Sequence, residues 1–279
     1  MEFKAYYETS ESLRQRVDEI IQQPLDELEL NQIYRQIFSF LDLTTLEGSD
    51  NPDRIDSLCD LALDYKHKAP GIGVAAVCLY MPFVKQAKKR LTNSGTTIAT
   101  VACGFPSGQL PLDLKLNEVR YALDQGADEI DMVISRGTML GGEFQQVFDE
   151  IHAVKAICGK SHLKVILETG ELSQPHLIRK ASELALLAGA DFLKTSTGKT
   201  SPAATPEAAM IMLDTIAEYY QITRRKVGFK PAGGIAEPAD ALIYFRLVKA
   251  LCGESWLNPE LFRIGASRLA VKLKDLLLK

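Results

Sequence analysis

The sequence predicts a single α/β domain, a (β/α)₈ TIM barrel preceded by an N-terminal helical extension. Three observations carry this. Short β-rich apolar runs alternate with longer helical stretches, eight such runs can be counted, and 279 residues suit a barrel of about 250 residues. Continuous apolar strands interleaved with helices indicate a parallel sheet covered by helices.

Taken in order, residues 1–36 form the extension and 37–279 the barrel. QPLDELELNQIYRQIFSFL, at 23–41, reads as helical over most of its length. The segment before it is open between a helix closing the barrel floor, an oligomer contact and a loose tail. Expected strands follow at 39–45, 73–80, 97–105, 128–134, 162–169, 191–197, 227–233 and 262–266. Between them, Leu177, Ile178, Ala181, Leu184 and Ala185 make one apolar helical stripe, with Ser173 as cap and Pro175 in the first turn. Thr205 caps the next helix, Pro206 opens it, and Glu207 complements its positive end. Gly126-Ala127-Asp128 and Gly189-Ala190-Asp191 each precede a strand, and both glycines suit a helix end. An open doubly wound sheet is the alternative. Its dinucleotide-binding form requires a GxGxxG turn after an early strand, and the sequence has none.

Composition excludes several function classes. A net charge of −4 and a pI of about 5.7 leave no basic field for nucleic acid. The densest basic run, with Lys85, Lys88, Lys89 and Arg90, reads as a solvated helix face. No apolar run has the length of a membrane span. The N-terminus lacks the pattern of a secretory signal. Five cysteines without close pairing fit a reducing compartment, so a cytoplasmic protein is expected. His67, His152, His162 and His176 form no HxH or HExxH pattern, and nothing indicates a metal.

The informative residues are polar ones inside apolar strands. Side chains alternate inward and outward along a barrel strand. Placing Ile130 and Met132 against the helices turns Asp131 inward. The same reasoning turns Lys164, Glu168, Lys194 and Lys230 inward. Buried charges are tolerated when they pair, so an ion network that completes the core is one reading. The other is chemical. A lysine amine is a nucleophile only when neutral, and both desolvation and a neighbouring ammonium favour that form. Lys194 and Lys230 supply each other with that neighbour, and either can be the nucleophile on these grounds. The small residues of KTSTGK leave room for a substrate at Lys194. Asp131 can move protons, and Lys164 and Glu168 can pair to hold the geometry.

Strand seven runs into Ala232-Gly233-Gly234 and strand eight into Gly265-Ala266-Ser267. Barrels often bind phosphate with these two loops. Glycines admit a ligand to backbone N–H groups, and a following helix N-terminus favours an anion. Thr197-Gly198-Lys199 can cover the same side. The expected ligand is a small phosphorylated carbonyl compound. Asp42 and Thr44 in the first strand can reach substrate hydroxyls or serve core hydrogen bonding or turn capping. Cys78 and Cys103 read as small buried hydrophobes.

These stretches resemble the deoxyribose-phosphate aldolases, a class I aldolase family. The pieces are LDLTTL at 41–46, GADEIDMVI at 126–134, LKVILETGEL at 163–172, DFLKTSTGK at 191–199, GFKPAGGI at 228–235 and FRIGAS at 262–267. The likeness runs from about residue 38 to 275. It implies reversible cleavage of 2-deoxy-D-ribose 5-phosphate to D-glyceraldehyde 3-phosphate and acetaldehyde, in deoxyribonucleoside catabolism. It also implies Lys194 as the Schiff-base lysine, Lys230 as the lysine that perturbs it and Asp131 as the proton relay. Gly198, Gly233, Gly234, Gly265 and Ser267 fall on or beside the expected phosphate positions. The resemblance implies no metal or organic cofactor, and a homodimer. Two departures stand out. The chain ends in DLLLK where a flexible tyrosine often helps proton transfer, which implies lower activity or another proton route, and the extension is longer than in compact bacterial forms. The rivals are another Schiff-base aldolase, such as a transaldolase-like or sugar-bisphosphate enzyme, and a non-catalytic phosphosugar-binding barrel.

Overall fold

Two helices lead into the first strand: α1 (Ser10–Ile21) and α2 (Glu27–Ser39), followed by β1 (Leu41–Thr44). Then come α3 (Pro52–Lys68), β2 (Ala76–Tyr80), α4 (Val84–Arg90), β3 (Thr97–Ala102), α5 (Leu112–Asp124) and β4 (Glu129–Val133). The chain continues through α6 (Arg136–Leu140), α7 (Phe144–Cys158), β5 (His162–Ile166), α8 (Thr169–Leu172), α9 (Pro175–Leu187) and β6 (Phe192–Lys194). It ends with α10 (Pro206–Thr223), β7 (Gly228–Lys230), α11 (Pro238–Cys252), β8 (Ile264–Ala266) and α12 (Leu269–Leu277). The structure, a computed structural model, describes residues 2–68 and 73–277, so the last two residues of DLLLK lie outside it; the His67 side chain is also outside the description.

All eight expected strands form, each shorter than its apolar run. They are parallel and lie in the order β7-β6-β5-β4-β3-β2-β1-β8. The ring closes between β7 and β8 through bridges pairing Phe229 with Phe262 and Ala232 with Gly265. A sequential order that closes on itself is a barrel and excludes the open sheet.

The Gly-Ala-Asp repeat has a physical cause. Gly126 and Gly189 take φ of 99° and 100°, just past the ends of α5 and α9. Glycine adopts that left-handed backbone without a Cβ penalty. The aspartate two residues on then accepts a backbone N–H from the neighbouring strand. Asp128 Oδ2 takes Ile98 N–H, and Asp191 Oδ2 takes Leu163 N–H, each at 2.9 Å. Each aspartate also holds a lysine from an outer helix, Lys88 and Lys155 respectively. One device thus ends a helix and fixes the register of the next strand twice.

Thr205 caps α10 as expected, accepting Ala208 N–H at 3.2 Å. Ser173 does not cap α9. Its φ is 46°, it ends α8, and Gln174 occupies the cap position with no side-chain hydrogen bond. Only two residues, Ser173 and Gln174, separate the one-turn α8 from α9, so the serine is spent on the turn between them.

The N-terminal helices lie on the outside of the barrel. Asp26 caps α2, and Thr9 and Ser12 make a reciprocal cap for α1. Helix α1 packs on α10 and α11, and α2 on α11 and α12. Arg16 makes a two-pronged ion pair with Asp214 of α10 at 2.8 and 2.9 Å, and Tyr6 donates to the same carboxylate. On α4, Lys85, Lys88, Lys89 and Arg90 face solvent. No described helix is long and apolar enough to cross a membrane.

Candidate active site

Register brings the inward charges to one level. Asp131 pairs in the ladder with Lys164, and Lys194 with Lys230, so these side chains share the interior face. Asp131 is their common partner. Its Oδ1 accepts from Lys164 Nζ at 2.9 Å. Its Oδ2 accepts from Lys194 Nζ at 2.7 Å and Lys230 Nζ at 2.8 Å.

The network continues inward through residues that strand alternation had not singled out. Lys230 donates to Asp42, whose other oxygen accepts from Arg263 Nη1 at 2.8 Å. Arg263 Nη2 reaches Glu129 at 2.8 Å, and Lys164 donates to Glu129 as well. Phe192 lies beside this layer, its ring 5.8 Å from Lys164 Nζ and 5.9 Å from the Arg263 guanidinium. Both missed members had a signal. Glu129 shares the face of Asp131, and Arg263 alternates with outward Ile264.

Two expectations change here. Lys164 does not pair with Glu168: its partners are Glu129 and Asp131, while Glu168 binds Thr197 and Arg136. The reason is reach, since Glu168 lies beyond the end of β5 and Lys164 near its start. Asp42 is fully buried with both oxygens taken by cations, so it faces the lysines and not the cavity.

Electrostatics follow from this packing. Burial alone would raise the Asp131 carboxyl, but the ammoniums of Lys164, Lys194 and Lys230 outweigh it and hold the group well below the usual carboxylate range. Burial works against a charged Lys230, yet Asp131 and Asp42 reverse that and keep it above the ordinary lysine value. Lys230 is therefore a firmly held ammonium beside Lys194. The connected cluster has three carboxylates, Asp42, Glu129 and Asp131, and four lysine or arginine side chains, Lys164, Lys194, Lys230 and Arg263, with His162 Nδ1 at its edge 3.6 Å from Glu129. One cation is surplus, and the surplus vanishes when one amine gives up its proton.

Of the four, Lys194 alone lines the cavity at the C-terminal mouth of the barrel, which has a volume of about 320 Å³. Thr44, Thr197, Gly198 and Lys199 line the same cavity. So do Gly233, Gly234, Gly265 and Ser267, with Arg54 and Arg268 as cationic members the sequence had not singled out. Gly198, Gly233 and Gly234 have φ of 76°, 85° and 81°. A Cβ on Gly233 would come within 2.7 Å of Ala203 Cβ and 2.9 Å of Gly198 Cα, so the two loops touch backbone to backbone. Helix α12 begins two residues after Ser267. Such glycine loops at a helix N-terminus can hold an anion. Thr44 donates to the Asp42 carbonyl, and Lys199 Nζ rests on Glu47 at 3.0 Å. Cys103 is a buried thiol, whereas Cys78 Sγ lies 4.0 Å from Asp131 Oδ2, at the edge of the network.

This geometry has relatives. A family model described as DeoC/LacD family aldolase matches residues 40–251. The deoxyribose-phosphate aldolase of Homo sapiens is 46% identical over 247 residues, covering 83% of this chain and 76% of the human protein. That of Mus musculus is 44% identical over 247 residues, with the same coverage of 83% and 76%. A crystal structure of a candidate deoxyribose-phosphate aldolase from Coccidioides immitis has a TM-score of 0.75 at 27% identity, covering 96% of this chain and 98% of its own. The deoxyribose phosphate aldolase of Aeropyrum pernix, at 22% identity and a TM-score of 0.69 over 96% and 98% of the two chains, speaks for the fold alone. The chain belongs to the DeoC/LacD family of aldolases, and its chemistry is the making and breaking of a carbon–carbon bond.

Proposed function

We propose that this protein reversibly cleaves 2-deoxy-D-ribose 5-phosphate to D-glyceraldehyde 3-phosphate and acetaldehyde through a Schiff base on Lys194. One observation carries the reading. Lys194 is the amine that both touches Asp131 at 2.7 Å and lines a cavity that the glycine-rich loops at 198, 233–234 and 265 also line. A substrate bound there by its phosphate extends its carbonyl end toward the amine.

The chemistry follows from that placement. Neutral Lys194 attacks the aldehyde carbon C1, and the carbinolamine loses water to give an iminium. Deprotonation of the C3 hydroxyl breaks the C2–C3 bond, releasing glyceraldehyde 3-phosphate. The electron pair passes to the iminium and leaves an enamine, which is protonated at C2. Hydrolysis then frees acetaldehyde and the lysine. Asp131, flanked by Lys194 and Lys230, is the group through which protons move, directly or by a water. This route makes no use of a C-terminal tyrosine.

Thr44, Gly198, Lys199, Gly233, Gly234, Gly265 and Ser267 are assigned to substrate and its phosphate, Thr197 to holding the loop that carries Gly198 and Lys199, and Lys164 to supporting Asp131. The reading includes a catalytic barrel of residues 37–279 with residues 1–36 as an extension, a homodimer, and a cytoplasmic setting suited to five free thiols. The test is acetaldehyde release from 2-deoxy-D-ribose 5-phosphate beside cleavage of fructose 1,6-bisphosphate. Preference for the first is expected; preference for the second would reassign the substrate to a sugar bisphosphate.

A further inference from the structure

The Glu168 carboxylate has no contact with the lysine network, and its backbone is unusual. Leu167 N–H donates to the Lys194 carbonyl and Thr169 N–H to the Thr195 carbonyl, both at 3.0 Å. Donors two residues apart thus meet carbonyls one residue apart. Glu168 is the extra residue of a bulge, with φ 57° and ψ 60°. A residue with a Cβ stays in this left-handed region only when its surroundings hold it there. Bulges beside active sites re-aim side chains.

The re-aimed carboxylate is fully buried. It accepts from Thr197 N–H at 3.1 Å and Thr197 Oγ1–H at 2.5 Å. Thr197 Oγ1 in turn accepts Lys199 N–H at 3.1 Å. The oxygen that takes the Thr197 hydroxyl also accepts from Arg136 Nη1 at 3.3 Å, and Arg136 lies 2.8 Å from Glu171 and donates to the Ser107 carbonyl at 3.2 Å. One carboxylate and one guanidinium therefore tie together the loops after β3, β4, β5 and β6.

We propose that Glu168 is a positioning residue for the loop 197–199, with Arg136 as its counter-charge. It turns the Thr197 hydroxyl and N–H inward and leaves Gly198 and Lys199 as the groups that meet the substrate phosphate. This rests on the phosphate reading above.

The experiment measures two quantities on each protein: inhibition by inorganic phosphate together with KM for 2-deoxy-D-ribose 5-phosphate, and borohydride trapping of acetaldehyde, which needs no phosphate site. Glu168→Gln keeps the shape but removes the charge and turns an amide N–H toward Thr197 or Arg136. Its phosphate inhibition constant and KM are expected to rise together by about tenfold or more, with trapping within about threefold of wild type. Glu168→Asp keeps the charge but is one methylene short, and is expected to change in the same direction. Arg136→Gln, at the more accessible end, is expected to raise both by roughly threefold and serves if the Glu168 variants do not fold. Unchanged phosphate inhibition in the folded variants overturns the proposal. So does a loss of trapping equal to the loss of phosphate affinity, because Glu168 would then serve the lysines. A wild-type protein that neither binds phosphate nor cleaves the substrate overturns the underlying reading, and that result is visible before any variant is made.

Discussion

Among the described residues, two lysine–carboxylate clusters are buried, and they differ in kind. Outside the barrel, between α5 and α7, Lys115 Nζ lies 2.8 Å from Glu150 and 2.5 Å from Ser135 Oγ, which itself donates to Glu150 at 2.6 Å. One cation meets one carboxylate, the Ser135 hydroxyl and the Gln146 amide complete the set, and neither charged group lines any of the cavities described. Inside the barrel, the Asp131 cluster has a surplus cation and one member open to a cavity. Burial of charge alone therefore does not mark a site. In the function proposed above, imbalance beside a cavity does.

Removing one cation from each cluster gives the largest test of this contrast. Lys194→Ala should lower cleavage by roughly 10⁴-fold or more while leaving unfolding free energy within about 1 kcal/mol of wild type, because it removes the surplus charge. Lys115→Met should do the reverse. It strands the Glu150 carboxylate and should cost about 3–5 kcal/mol in urea unfolding, with acetaldehyde trapping on the folded protein within about twofold of wild type. Equal destabilisation by Lys194→Ala and Lys115→Met would show that Lys194 carries no surplus charge.

Much of this contrast was legible in the sequence. Alternation in GADEIDMVI and DFLKTSTGK turned Asp131 and Lys194 inward, and paired glycine motifs marked the cavity wall. Arg263 and Glu129 were missed although the same alternation applies to them. A single polar residue beside an apolar one gives no measure of depth. The partners of Asp42 and Lys164 were not legible at all. They depend on which strands become neighbours when the ring closes, bringing Arg263 and Lys230 to Asp42 from residues 221 and 188 positions away. The bulge at Glu168 was equally hidden, since the bulged residue is a glutamate with no glycine to announce positive φ.

A smaller effect sharpens the cavity side of the comparison. Gly233→Ala adds a Cβ against Ala203 and Gly198 at a backbone φ of 85°. Both the strain and the contact push the two glycine loops apart, so KM for the phosphorylated substrate should rise about tenfold with a smaller change in kcat. The Lys115 cluster, far from these loops, should keep its stability contribution in the same variant.

Acid should leave the two clusters alike. Burial would raise both Asp131 and Glu150. Lys164, Lys194 and Lys230 hold Asp131 below its ordinary 3.8, and hydrogen bonds from Lys115 and Ser135 hold Glu150 below its ordinary 4.5. A carboxyl depressed on folding stabilises the fold above its unfolded value, and that contribution is lost as pH falls through the folded value. The difference in unfolding free energy between wild type and Glu150→Gln should thus be level from about pH 6 to 8 and shrink below about pH 4. Lys230, held above its ordinary 10.5, contributes fully below that value and loses its contribution only as pH rises through the higher folded one. Urea midpoints from about pH 3 to 8 check the sign for Glu150.

The most direct measurement is borohydride reduction of the protein with acetaldehyde, followed by peptide mapping. A single reduced two-carbon adduct on the Lys194 side chain is the expected result. An adduct on Lys230 instead, or substrate cleavage that proceeds with no lysine adduct at all, would contradict the assignment of the nucleophile.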